Sequence, residues 1–113
     1  MVLYETTPNT QNERPLTSPP DPAPVIAKAR VIAGLARRIG ATVVPMSSVA
    51  LRCQVTQPQF TLRYLTDAHP NQTMAYLTAC TFYGALFDRS PVGLTVDTVT
   101  ETRPGHKAGE DPD

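Results

Sequence analysis

The chain has 113 residues and 12 prolines, and once its polar, proline-rich ends are set aside about eighty residues remain to build one domain. Ten Lys and Arg balance ten Asp and Glu, so no global field draws nucleic acid or an anionic membrane surface. No apolar run approaches the roughly 20 residues of a membrane span, and no secretory leader precedes the cysteines, so the expected location is cytoplasmic. Cys53 and Cys80 lie in apolar stretches and read as buried free thiols. Neither they nor His69 and His106 have metal-ligand spacing, so neither a metal nor another cofactor is expected.

Residues 1–20 are rich in Thr, Asn, Gln and Pro without a sustained apolar period, and read as a flexible arm that Val2, Leu3 and Tyr4 can tether. A single domain is expected over residues 21–102, and residues 103–113 form a disordered polar tail. The first helix begins near Asp21. Pro22 and Pro24 suit its opening turn, and Val25, Ala29, Ile32, Leu35, Ala36 and Ile39 recur at helical spacing. Arg37 and Arg38 belong near its C-terminal end, and Gly40 stops it.

Residues 42–45 predict a short β-branched strand buried on both faces, of the parallel-sheet kind. Ser47 or Ser48 then caps a second helix, which Pro58 must end. Phe60, Leu62, Tyr64 and Leu65 suggest an extended segment. Pro70 biases His69 towards extended backbone, Asn71 is a good N-cap, and Met74, Leu77, Cys80, Phe82, Tyr83, Leu86 and Phe87 make a helix apolar around much of its girth. Such a helix is expected to be covered on most sides. Residues 94–100, rich in Val and Thr, predict a C-terminal edge strand.

Three blocks carry a family resemblance: LARRIGATVVP from Leu35, HPNQTMAYLTACTFY from His69 and RSPVGL from Arg89. Over roughly residues 25–94 they resemble the C-terminal half of an SGNH (GDSL-like) hydrolase, in which a D-x-x-H-P-[NS] segment leads into a helix with Y-L, A-C and F-Y at these intervals. The resemblance implies an α/β, flavodoxin-like three-layer fold and, in complete members, ester hydrolysis. His69 falls on the family's general base, which takes a proton from a nucleophilic serine, while an aspartate three positions earlier orients the ring. Here that earlier position is Thr66, and the available carboxylate is Asp67, two before the histidine. Met74 stands where the family's helix opens with glycine.

The sequence contains no G-D-S nucleophile block and no Gly or Asn block for the oxyanion donors, each commonly worth about 10² or more in rate. Ser47 and Ser48 follow the carboxyl end of a parallel strand, the edge where α/β folds place ligands, and are the candidate substitutes for the nucleophile. Cap residues are the competing reading. The resemblance thus implies a truncated fragment, mostly helical, whose strands are expected to need neighbours. Val43 and Val44 can pair with residues 94–100, with the N-terminal arm or with a second copy.

The expected solution is a homodimer through the helix at residues 71–87 and the strand edges, with another protein partner as the alternative. The expected function is a non-catalytic, SGNH-derived protein acting by self-association or protein binding. Two alternatives stand beside it. One is a serine esterase using His69, Asp67 and a serine of this or another chain. The other is a small-ligand, carbohydrate-like binding module using a cleft near His69, Tyr64 and Asn71.

Overall fold

The computed structural model describes residues 1–6, 18–64 and 69–96. Chain order gives strand β1 (Val2–Tyr4), helix α1 (Ala23–Ile39), strand β2 (Thr42–Val44), helix α2 (Met46–Thr56) and helix α3 (Gln72–Phe87). The two strands pair in parallel, Val2 with Thr42, Leu3 with Val43 and Tyr4 with Val44. Parallel neighbours require a crossover, and α1 supplies it, so β1, α1 and β2 form a βαβ unit.

Helix α1 begins where Pro22 and Pro24 supply preset backbone angles and the Asp21 carboxylate accepts a hydrogen bond from Ala23 N at 2.9 Å. It stops at Gly40, which adopts the left-handed conformation at φ 64°, and both Gly40 N–H and Ala41 N–H return to the carbonyl of Ala36. Helix α2 starts at Met46, directly after Pro45, and ends ahead of Pro58. Helix α3 is capped by Asn71 and stops at Asp88, a non-glycine residue at φ 50°. Within α3, Thr78 and Thr81 donate to the carbonyls four residues back, Met74 and Leu77, so neither hydroxyl is stranded on an apolar helix.

Among the described residues the largest buried cluster joins the helices, while Val44 of β2 is buried beside it. Met46 and Ala50 from α2, Leu62 from the segment before α3 and Met74 from α3 are buried together, with Val49, Cys53 and Leu77 packed against them. Fully burying a side chain such as Met46 or Leu62 contributes about 1.5–3 kcal/mol. Helix α2 is therefore the hinge of the packing, touching both α1 and α3, while α1 and α3 each touch β2. The chain on either side of residues 65–68 is cross-linked by an antiparallel bridge between Arg63 and Pro70, by Tyr64 N donating to His69 O at 3.2 Å and by Asn71 N donating to Leu62 O at 3.4 Å.

Several expectations change. The tether that Val2, Leu3 and Tyr4 offer the arm takes the form of β1, and Glu5 just beyond it, expected in a solvated arm, is buried, because the open ladder of β2 accepts a β-prone segment as its neighbour. Of the three neighbours open to Val43 and Val44, the N-terminal segment is the one that pairs. β2 is not buried on both faces: Thr42 is exposed, Val43 half-buried and Val44 buried, as a two-stranded sheet dictates. Leu94, Thr95 and Val96 are exposed and not in a strand, since the chain turns at Gly93 (φ 89°), with Leu94 N bonded to Pro91 O. The rest of that expected strand, residues 97–100, lies outside the described residues, as do residues 7–17 and the C-terminal tail from residue 101. Among the described residues helix α3 is half-buried along most of its length and not covered on most sides. Met74 is its one fully buried residue, and Leu86 and Phe87 stand exposed.

Candidate functional site

The corner before α3 is built on Asn71. Its side chain is 2 % exposed; Oδ1 accepts from Met74 N at 3.0 Å, which is the cap, and Nδ2 donates to the carbonyl of Thr61 at 3.0 Å and to its hydroxyl at 3.2 Å. One amide thus fastens the start of α3 to the segment entering the core. Both ends of the Asn71 amide are engaged within the protein. Tyr64 is likewise buried, at 3 % exposure. His69 is exposed, one residue before Pro70, and its carbonyl accepts from Tyr64 N. Asp67, the candidate for the residue orienting His69, and Thr66, which stands where the family has its acid, lie outside the described residues.

The serines sit elsewhere. Ser47, in the first turn of α2, is completely buried, and its hydroxyl donates to the carbonyl of Thr6 at 2.7 Å. Lys28 of α1 donates to the same carbonyl at 2.8 Å and to the Thr6 hydroxyl at 3.2 Å. A clasp at the carboxyl end of β1 therefore ties the strand to both α1 and α2. It engages the proton that a serine nucleophile must surrender to a base, and it holds Ser47 against Thr6 instead of His69. The helix cap expected of Ser47 is absent: Pro45 occupies the N-cap position and Ser47 reaches across to another segment. Ser48 is exposed and lines a groove between α1 and α2.

Glu5 joins this corner through its backbone, donating from N to Val44 O at 3.0 Å, while its side chain is 2 % exposed and Oε1 has no hydrogen-bond partner. An unsatisfied buried carboxylate oxygen is costly, and nothing in the sequence of the arm distinguishes Glu5 from a solvated residue. The signal that could have found the clasp is positional: Ser47 follows one parallel strand and Thr6 follows its neighbour.

The two thiols are free and half-buried, not fully buried. Burial pushes the Cys53 thiol above its ordinary pKa, since desolvation disfavours the thiolate. Among the described residues no group of three or more His, Cys, Asp or Glu is arranged to hold a metal ion, and no helix is long and apolar enough to cross a membrane.

The described residues define a small mixed α/β protein, mostly helical, built from one βαβ unit with two further helices. No protein-family model, curated protein or solved structure matches the chain.

Proposed function

We propose that the chain is a small, non-catalytic protein, derived from an SGNH-type hydrolase, that works by association and first of all by pairing with a second copy. The derivation rests on the three sequence blocks alone. The observation that carries the association is an apolar surface on β1 and α3, exposed at Val2, Tyr4, Leu86 and Phe87 and joined through the half-buried rings of Phe82 and Tyr83. Val2 and Tyr4 are each about two-fifths exposed on the outer strand, and the Tyr4 ring stacks on Phe82 of α3, centroids 5.6 Å apart and planes 16° from parallel. The surface continues along α3 through Leu86 and the Tyr83–Phe87 ring pair, centroids 5.2 Å apart, to Phe87 at 62 % exposure.

Backbone groups add direction to this patch. Met1 O and Glu5 N bond towards β2, so by the alternation of a strand the groups of Val2 and Tyr4 face away from it. An outward row of donors and acceptors beside exposed aromatic rings suits a second β1 related by a two-fold axis. The buried, engaged Ser47 hydroxyl supports a role without catalysis.

Light scattering after size exclusion tests the pairing. The native chain is expected to run as a dimer and the Phe87→Glu variant as a monomer with unchanged far-ultraviolet circular dichroism. A native chain that stays monomeric at every soluble concentration overturns the reading. Cleavage of short acyl esters that is lost in His69→Ala would replace it with the hydrolase reading.

A further inference from the structure

A second surface, separate from the α3 face, lies between α1 and α2. Its floor is one stripe from each helix: Val25, Ala29 and Ala33 of α1, and Leu51 and Val55 of α2. Together with Ile26 these residues enclose a groove of about 580 Å³ whose walls are nearly all carbon. Val25 to Ala33 is eight residue steps of 1.5 Å, roughly 12 Å, which is the length of about two helical turns. Ala29 and Ala33 leave room for close approach of another backbone. A trough between two helical stripes is the shape into which the ridge of a third helix packs.

The rims carry charge of one sign. Arg30 on α1 and Arg52 on α2 border the groove. Helices α1 and α2 together hold Lys28, Arg30, Arg37, Arg38 and Arg52 without a single Asp or Glu, although the whole chain is neutral. A second copy placed here would set these guanidinium groups against their own duplicates. Nucleic acid would satisfy the charge but has no long apolar stripe to fill a floor of Val, Ala and Leu. A helix with an apolar stripe flanked by carboxylates satisfies both.

We infer that the groove between α1 and α2 docks an acidic amphipathic helix from a partner protein, about two turns of which sit between Arg30 and Arg52. The inference does not depend on pairing through α3, and the test is built to keep the two apart. The probe is a fluorescein-labelled synthetic helix with Leu at positions i, i+3, i+4 and i+7 and Glu on both flanks, compared with the same peptide carrying Lys in place of Glu. Fluorescence anisotropy is recorded with the full chain at low and high salt.

The Glu peptide is expected to bind at least about tenfold more tightly than the Lys peptide, with the preference reversed in the Arg30→Glu, Arg52→Glu double variant. Val55→Asp is expected to abolish binding of the Glu peptide. All three positions are exposed, so these variants should retain the native circular dichroism. Equal binding of the two peptides, binding untouched by the charge reversal, or displacement of the Glu peptide by a single-stranded oligonucleotide each overturns the inference. So does a change of oligomeric state in the double variant, which would make the groove a contact between copies. The Phe87→Glu variant should bind the Glu peptide as the native chain does, and that result would hold even if the native chain proved monomeric.

Discussion

Replacing Asn71 with alanine removes two separate supports from one position, and their sizes can be worked out. Loss of Oδ1 leaves Met74 N–H without its cap, which costs about 1 kcal/mol. Loss of Nδ2 removes two buried hydrogen bonds to Thr61, one to its carbonyl and one to its hydroxyl, each worth about 0.5–1.5 kcal/mol. Asn71→Ala should therefore destabilise by about 2–4 kcal/mol, a large share of the roughly 5–15 kcal/mol that holds a domain together. In a domain of this size that lowers the melting temperature by about 10–25 °C. Asn71→Ser retains a capping oxygen but cannot reach Thr61, so it should lose only the second component and melt above the alanine variant. Thermal unfolding followed by circular dichroism, at one fixed chain concentration because association contributes to apparent stability, measures both. An alanine variant within about 0.5 kcal/mol of the native chain would refute the stapling role. Serine and alanine variants of equal stability would refute the cap.

Gly34 within α1 and Gly40 at its C-cap should respond oppositely. A Cβ at Gly34 meets nothing within 4 Å and the position is helical, so Gly34→Ala should stabilise by about 0.5–1 kcal/mol. Gly40 is equally open, yet its φ of 64° is left-handed, so Gly40→Ala should cost about 1–2 kcal/mol in the same unfolding assay. Cys53 makes stability depend on alkaline pH. Its thiol is held above the ordinary value near 9, so the folded chain keeps a proton that the unfolded chain releases. Its contribution is complete below that value and is lost as pH rises through it towards the raised folded value. Urea unfolding at stepped pH should show this alkaline loss in the native chain and a smaller one in Cys53→Ala; equal slopes would exclude the effect.

Helix punctuation was legible in the residues themselves. Pro22 and Pro24, Gly40, Pro58 and Asn71 act through their own backbone angles and side chains within a few positions, so the limits of α1, the end of α2 and the start of α3 could be placed without any knowledge of the partner elements, whereas the start of α2 could not, since Pro45 stands at its N-cap in place of Ser47 or Ser48. The βαβ unit was not legible in that way. Three β-prone residues in a polar arm become a strand because Thr42–Val44 offers a hydrogen-bonding edge some forty positions away, and no local period reports that edge. The candidate site divides in the same manner. Asn71 as a cap is a local property, whereas its hold on Thr61, the Ser47–Thr6–Lys28 clasp and the burial of Glu5 require segments brought together by packing. Sequence alone determined where the chain must turn and which faces are apolar. Tertiary structure decided which of those faces are covered, because burial is set by whatever other surface arrives, and for α3 and for the trough between α1 and α2 little within the described residues arrives.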